Sequence, residues 1–221
     1  MTGKIAYLSV VVLVLLAACA PAVPSTPTGP YLPEGQIFFE NYAKVKFVGT
    51  AYGHGDTAII LANMGQGGQS QWDPFVEAVD KDKFTVITFS YAKPDDYSEA
   101  RQDAGFVFDA VREAGFVRVI CIGASLGITA CANLGHKEEI IGLALVAGPN
   151  MGPGLSGEYP KLFIAGAVDH WSDELEAIYE SAAEPKTLIL YEGIARHGTD
   201  MFHSQVKEQF LQDLLDFVNR F

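Results

Sequence analysis

Near its middle the chain reads Val119-Ile120-Cys121-Ile122-Gly123-Ala124-Ser125-Leu126-Gly127. The apolar run predicts a buried strand, and the small residues after it predict a sharp turn into a helix. Such a turn raises a serine hydroxyl above the end of a sheet and leaves little room for side chains two residues before and after the serine. Gly123 and Gly127 meet this requirement. Ser125 is therefore a candidate nucleophile, and the Leu126 N–H is a candidate donor to an oxyanion.

Apolar runs alternate with helical patterns on both sides of this turn. Strands are predicted at residues 45–52, 57–62, 84–90, 117–122, 140–147, 162–168 and 187–191, and helices at 71–80, 97–114, 125–134, 173–182 and 201–221. This alternation predicts a three-layer α/β fold, with a mostly parallel sheet and helices on both faces. The sequence Gly53-His54-Gly55-Asp56 is predicted to be a hairpin turn between the first two strands, which would form an antiparallel pair at one edge.

The composition indicates one acidic globular domain. The chain has 221 residues, of which 49% are hydrophobic, and its formal net charge is −12. This is enough for one domain with a sizeable core, which we place at residues 36–221. The negative charge disfavours nucleic acid and anionic membrane surfaces as partners. The Cys and His residues have no metal-ligand spacing, so we expect neither a metal nor an organic cofactor.

The N-terminus has the features of an export signal. Lys4 precedes an apolar run at residues 8–18, which is short for a membrane span and has the length of a signal-peptide core. The run ends in Leu16-Ala17-Ala18-Cys19, which resembles the box of bacterial lipoproteins, where the cysteine is acylated. We expect a lipoprotein signal peptide at residues 1–18 and a lipid anchor on Cys19, with an ordinary signal peptide as the alternative.

A proline-rich segment follows Cys19. Proline recurs there at every third position, at Pro21, Pro24, Pro27, Pro30 and Pro33. This density favours extended polyproline II structure, so residues 19–35 are predicted to be a tether that holds the domain roughly 40 Å from a membrane. The expected location is therefore outside the cytoplasm, anchored to the inner or the outer bacterial membrane.

The serine turn and the order of the segments resemble the α/β-hydrolase superfamily, in particular its small, capless, dienelactone-hydrolase-like members. The resemblance covers nearly all of residues 36–221. It implies a triad in the order serine, acid, histidine. The matching positions are Ser125 in the turn, Asp169 after a predicted strand and His197 in the loop before the last helix. The connection at residues 148–161 is too short for a helical lid, so no cap domain is expected.

The resemblance also assigns chemical roles. His197 would accept the proton of Ser125, and Asp169 would hold the imidazole in the required tautomer. The second oxyanion donor would come from the backbone of the glycine-rich loop at residues 63–68, with Gln66 as the candidate. Many relatives have His-Gly in this loop where this chain has Met64-Gly65.

Other residues compete for these roles. His170 is an alternative base, and Asp173 is an alternative acid, although a position at the start of a helix accounts for Asp173. A position at the start of a helix also accounts for Asp95 and Asp96. The remaining histidines, His54, His136 and His203, are predicted to be structural or solvated. The glycine-rich loop lacks the lysine and Ser/Thr of a Walker loop, which disfavours a phosphate cradle.

Two cysteines lie within the domain, Cys121 in the predicted strand and Cys131 in the helix after it. An exported protein permits a disulfide. A strand and its covering helix are about 10 Å apart, however, which exceeds the usual Cα separation of a bridge. We therefore expect two buried free thiols.

The sequence thus predicts an exported, lipid-anchored serine hydrolase that cleaves a small-molecule carboxylic ester or thioester through an acyl-enzyme on Ser125. Two alternatives stay open. One is a non-catalytic, lipid-anchored binding protein that retains the hydrolase fold, and the other is an acyltransferase that excludes water. A dehalogenase is disfavoured, since its turn carries aspartate where this chain has Ser125. Neither the substrate nor the oligomeric state follows from the sequence.

Overall fold

The computed structural model of the protein describes residues 29–42, 44–150, 152 and 154–221. The predicted signal peptide at residues 1–18, the acylation candidate Cys19 and most of the predicted tether lie outside this part of the chain. Within it, no helix is long and apolar enough to cross a membrane.

The described residues contain one eight-stranded sheet in the order β1-β2-β4-β3-β5-β6-β7-β8. The strands are β1 (Gly35–Glu40), β2 (Lys46–Tyr52), β3 (Thr57–Ala62), β4 (Phe84–Phe89), β5 (Val119–Ala124), β6 (Ile140–Val146), β7 (Lys161–Gly166) and β8 (Lys186–Tyr191). β2 is antiparallel to both of its neighbours, and the other pairs are parallel. Strands β3, β4, β5 and β7 are buried along their whole length, which requires cover on both faces.

The predicted hairpin between residues 45–52 and 57–62 is wrong. β2 and β3 follow each other in the chain, but β4 lies between them in the sheet. The antiparallel edge is formed instead by β1 and β2, where Phe39 and Phe47 are register partners with ring centroids 5.2 Å apart. Gly53 does turn the chain, with a φ of 80°. A turn signal reverses the direction of the chain and does not by itself choose the neighbouring strand.

Helices cover both faces of the sheet, as the sequence predicts. They are α1 (Asp73–Ala78), α2 (Tyr97–Glu113), α3 (Leu126–Leu134), α4 (Ser172–Ser181) and α5 (Lys207–Val218), with 3-10 turns at Gln69–Trp72 and Gly198–His203. Cys121 and Leu143 are register partners and share the face that α3 covers. Gly142 lies on the opposite face, where an added Cβ would be 3.2 Å from the Phe217 ring of α5. The arrangement has three layers.

The connection between β6 and β7 agrees with the sequence prediction, and the start of the last helix does not. The described part of residues 147–160, between β6 and β7, contains no helix, in agreement with the absence of a cap domain. The last helix begins later than predicted, at Lys207. Residues Gly198–His203 form a 3-10 turn instead, so His203 lies in that turn and not in the final helix.

Cys121 and Cys131 form a disulfide, so the expectation of two free thiols is wrong. Their Cα atoms are only 5.5 Å apart. The prediction assumed the spacing of a strand and a helix that packs over it, whereas α3 begins directly after β5. Glycines allow the close approach, since an added Cβ on Gly123 would be 2.1 Å from the carbonyl oxygen of Gly127.

The described chain is attached to the domain before β1 begins. The Tyr31 N–H donates to the carbonyl of Ala114, at the end of α2, with an N···O distance of 3.0 Å. The Glu34 carboxylate accepts from the Gly53 N–H at 2.6 Å.

Candidate active site

Ser125 occupies the turn from β5 into α3 and has a φ of 54° and a ψ of −116°. This left-handed conformation costs a non-glycine residue about 1–3 kcal/mol, so the surroundings must hold it in place. The Ser125 N–H donates to the carbonyls of Val146 and Ala147 at 2.9 and 3.0 Å. An added Cβ on Gly148 would be 2.5 Å from the Ser125 Cα. The predicted sharp turn is present, and Ser125 is half-buried in it.

The structure brings Asp169 and His197 into contact. The His197 Nδ1 is 2.8 Å from Asp169 Oδ2 and 3.2 Å from Oδ1. A carboxylate accepts hydrogen bonds, so Nδ1 carries the proton and Nε2 of the neutral ring is left as an acceptor. The Asp169 side chain is fully buried, and 22% of the His197 side chain is exposed. A further bond from the Trp171 N–H to Asp169 Oδ1, at 2.9 Å, orients the carboxylate.

The loop that carries His197 packs beside the Ser125 turn. Gly198 follows His197 and has a φ of 52°. An added Cβ on Gly198 would be 3.5 Å from the Ala124 Cβ and 2.5 Å from the Met64 Sδ. The histidine loop therefore lies against both the residue before Ser125 and the glycine-rich loop. Parallel strands end at one edge of the sheet, which is why loops from distant parts of the sequence meet there.

His170, the alternative base, flanks the same carboxylate. Its Nδ1 is 3.3 Å from Asp169 Oδ1, and its side chain is 66% exposed. The rings of His170 and His197 are 4.9 Å apart. Asp173, the alternative acid, is an exposed residue in the first turn of α4, the position expected for an acid at a helix start. The shorter contact to the buried carboxylate favours His197 over His170.

The glycine-rich loop at residues 63–68 follows β3. Its first residue, Asn63, accepts a hydrogen bond on its carbonyl from the Tyr91 hydroxyl at 2.9 Å. Burial raises the pKa of Tyr91, and the negative charge of Asp103 raises it further. The hydroxyl is therefore protonated and remains a donor. Leu126, the other predicted donor residue, is the first residue of α3.

The side chain of Gln66 is hydrogen-bonded to Asp95, which lies outside the loop. Its Nε2 donates to Asp95 Oδ2 at 2.5 Å. Asp96, and not Asp95, caps α2 by accepting from the N–H groups of Ser98 and Glu99. Helix capping therefore explains Asp96 but not Asp95, whose contact with the loop has no signal in the sequence.

Gln71 also contacts this loop, and the sequence patterns do not single it out. Its amide lies within hydrogen-bond distance of the Met64 N–H and of the Gln66 carbonyl. A glutamine near the start of a helical pattern belongs to no motif, so its role depends on partners that only the folded chain brings together.

Three side chains of the described residues could jointly hold a metal ion. The ligand atoms of Asp169, His170 and His197 all lie within 4.8 Å of one another. A metal between them would compete with the hydrogen bond from His197 Nδ1 to the carboxylate.

No model of a known protein family matches the chain, and no curated protein sequence does. Solved structures do match. An esterase from Rhodococcus sp. ECU1013 shares 12% identity and a TM-score of 0.68, over 84% of this chain and 98% of that chain. The Pyrococcus furiosus esterase shares 16% identity and a TM-score of 0.68, over 86% and 93%. An alpha/beta hydrolase fold protein from Chitinophaga pinensis shares 13% identity and a TM-score of 0.67, over 85% and 98%. At identities this low, the structural similarity shows a common fold and does not by itself assign an activity. The chain has the α/β-hydrolase fold.

Proposed function

We propose that the protein is a serine hydrolase that cleaves a carboxylic ester or thioester through an acyl-enzyme on Ser125. The observation that carries the proposal is the 2.8 Å contact between His197 and the buried Asp169 carboxylate, on a loop that packs beside the Ser125 turn. Structurally similar esterases support the same reaction class. The short connection between β6 and β7 supports a small, capless member of the dienelactone-hydrolase-like type.

In the first half-reaction, the Ser125 oxygen attacks the carbonyl carbon while His197 Nε2 takes the hydroxyl proton. Asp169 stabilises the imidazolium that forms. The oxyanion accepts hydrogen bonds from the backbone N–H groups of Leu126 and Gln66, each worth about 3 kcal/mol of transition-state stabilisation. Collapse expels the alcohol or thiol, which leaves with the proton from His197.

In the second half-reaction, water replaces the departed group. His197 removes a proton from the water, the resulting hydroxide attacks the acyl carbon, and the Ser125 oxygen leaves with the proton returned by His197. The products are a carboxylic acid and the free enzyme. An acyltransferase would use the same steps with another acceptor in place of water, and an acceptor-dependent product would identify it.

The departure from His-Gly at Met64 would favour the non-catalytic alternative if it disturbed the oxyanion donors, but the backbone of that loop argues against this. The Met64 N–H is bonded to Gln71 at 3.0 Å, so methionine occupies an ordered backbone position there. Oxyanion donors are main-chain groups, and a change of side chain at Met64 leaves those donors in the loop.

The direct test is labelling of the purified domain with a fluorophosphonate, beside a Ser125→Ala variant and with short-chain aryl esters as substrates. We expect labelling and turnover in the wild-type protein and neither in the variant. Folded wild-type protein that is neither labelled nor active would overturn the proposal and favour the binding protein.

We also propose that the protein is exported and anchored by a lipid on Cys19. The disulfide between Cys121 and Cys131 supports export, because disulfides form and persist in oxidising compartments. Metabolic labelling with a fatty-acid analogue, with Cys19→Ser as the matched control, tests the anchor. Label in the full chain and not in the variant is expected, and unlabelled protein released into the medium would contradict it.

A further inference from the structure

Gln71 contacts both the glycine-rich loop at residues 63–68 and the chain just after His197. It belongs to the 3-10 turn Gln69–Trp72, before α1. We propose that Gln71 is a positioning residue that holds the glycine-rich loop in the conformation needed to bind the oxyanion. This inference rests on the proposed hydrolase function and adds a residue to its machinery that does not itself touch the substrate.

Both ends of the Gln71 amide are engaged with the backbone of the loop. Oε1 accepts from the Met64 N–H at 3.0 Å, and Nε2 donates to the Gln66 carbonyl at 3.1 Å. A primary amide has one accepting and one donating end. Rotating it by half a turn would face donor with donor and acceptor with acceptor, so only one orientation satisfies both bonds.

These two bonds restrict which N–H groups can face a substrate. The Met64 N–H is already used by Gln71. The Gln66 N–H lies between the two peptide groups that Gln71 holds, so its direction is restrained from both sides. Because the peptide after Gln66 is planar, fixing its carbonyl toward Gln71 also turns the Gly67 N–H the opposite way.

The loop is packed tightly on the Gln71 side chain. An added Cβ on Gly67 would be 1.7 Å from the Gln71 Nε2, and Gly67 has a φ of 152°. The positive φ favours glycine at this position, and a larger residue would also have to displace the Gln71 amide. The fit shows that the amide lies directly against the loop backbone.

Gln71 also reaches the histidine loop. The Thr199 hydroxyl, two residues after His197, is 3.5 Å from the Gln71 Oε1. The turn beneath is anchored by Trp72, which is fully buried and packs edge-on against Phe202 with ring centroids 6.1 Å apart. The Gln71 side chain, on a turn that buried Trp72 anchors, thus contacts both the glycine-rich loop and the loop of His197.

Gln69 provides a matched control on the same turn. Its amide bonds to β2 and β4, since Nε2 donates to the Val48 carbonyl at 3.3 Å and Oε1 accepts from the Thr88 hydroxyl at 2.7 Å. Gln69→Met and Gln71→Met therefore remove the same chemical group from the same 3-10 turn, and only the second removes bonds to the glycine-rich loop.

The experiment measures kcat, KM and thermal stability for hydrolysis of 4-nitrophenyl butyrate. It compares the wild type with Gln71→Met, Gln71→Glu and Gln69→Met. Misplaced oxyanion donors affect the transition state, so we expect Gln71→Met to lower kcat by about 10- to 100-fold with KM within about 3-fold of the wild type. Gln69→Met should keep kcat within about 2-fold, because its bonds do not reach the donors. Gln71→Glu keeps an acceptor for the Met64 N–H but turns a carboxylate oxygen, in place of the N–H donor, toward the Gln66 carbonyl, so its kcat should fall at least as far as that of Gln71→Met.

A boronic acid separates positioning from general damage. It forms a tetrahedral adduct on serine, so its affinity should fall in parallel with kcat/KM in the Gln71 variants, while the affinity for the carboxylate product stays the same. A wild-type kcat in both Gln71 variants overturns the inference, and so does an equal loss of kcat in Gln69→Met. If Gln71→Met does not fold, Gln71→Glu decides the question. Failure of the proposed function is recognised separately, since the wild-type protein would then show neither turnover nor labelling.

Discussion

Cys121 and Cys131 are bonded across the turn that carries Ser125, with the first cysteine in the strand before the serine and the second in the helix after it. The bridge closes a short chain segment around a residue with left-handed backbone geometry. Two hydrogen bonds from the Ser125 N–H hold the same turn independently. The disulfide and these bonds therefore support one strained position from different directions.

Removal of the bridge should reduce stability more than turnover. We expect the double variant Cys121→Ala and Cys131→Ala to lower the free energy of unfolding by about 2–4 kcal/mol, mainly because its unfolded state is less constrained. Turnover of the folded protein should persist, since the Ser125 N–H bonds to Val146 and Ala147 remain. Urea unfolding of both proteins under oxidising conditions measures the difference, and equal midpoints and slopes would contradict the prediction.

Asp169→Asn should preserve the fold and lower turnover by about 10³- to 10⁴-fold, because the imidazole would lose its required tautomer. The fully buried carboxylate that contacts His197 is the basis of this expectation. Asp173→Asn is the matched control, since Asp173 is exposed in the first turn of α4. Turnover rates and circular dichroism spectra check both variants. A loss confined to the Asp173 variant would show that the acid is wrongly assigned.

The two histidines beside Asp169 should differ in their effect on the reaction. His197→Gln should abolish labelling of Ser125 by a fluorophosphonate, because no base remains to accept the serine proton. His170→Gln should retain most of the labelling rate, since its ring is 66% exposed and its contact to Asp169 is the longer one, at 3.3 Å. Labelling rates measured side by side decide the assignment, and the reverse order of effects would make His170 the base.

Lys161 should contribute to stability through a buried ammonium group that donates to three backbone carbonyls. Its Nζ donates to the carbonyls of Gly157, Tyr159 and Ala183 at 2.5, 2.9 and 2.9 Å. Burial lowers the pKa of Lys161, but the three acceptors compensate for the lost hydration. Lys161→Met leaves those carbonyls unsatisfied and should cost about 2–4 kcal/mol of unfolding free energy.

Lys186→Met is the control for that prediction. The Lys186 Nζ also donates to two carbonyls, those of Tyr179 and Glu180 at 2.9 and 3.1 Å. The side chain is only half-buried, so water can replace it and the loss should be smaller. Denaturant unfolding measures the free energy of unfolding of both variants, and an equal or greater loss in Lys186→Met would show that burial of the Lys161 ammonium does not set the cost.

The parts that the sequence predicts correctly are those that local chemistry determines. Gly123 and Gly127 around Ser125 indicate a sharp strand-to-helix turn, and the structure contains it. Apolar runs of strand length indicate strands buried on both faces, and β3, β5 and β7 are such strands. The three-layer α/β fold is confirmed on this basis.

The parts that the sequence misses depend on which distant segments become neighbours. Residues 53–56 have the composition of a hairpin turn, yet β4 enters between the two strands that they join. The free thiols are expected from an average layer spacing, which does not apply where a helix begins directly after its strand. Gln71 and Asp95 contact the glycine-rich loop through ordinary polar side chains, which have no sequence signature.

The proposed acyl-enzyme on Ser125 can be trapped, and its site of attachment can be identified. The protein would be mixed with an activated aryl ester, quenched in acid within the first turnovers and analysed by intact and peptide mass spectrometry. We expect one acyl group on the peptide that contains Ser125, and none in Ser125→Ala, which should also lose turnover. Ester turnover that persists in Ser125→Ala, or an acyl group on another residue of the wild-type protein, would show that Ser125 is not the nucleophile.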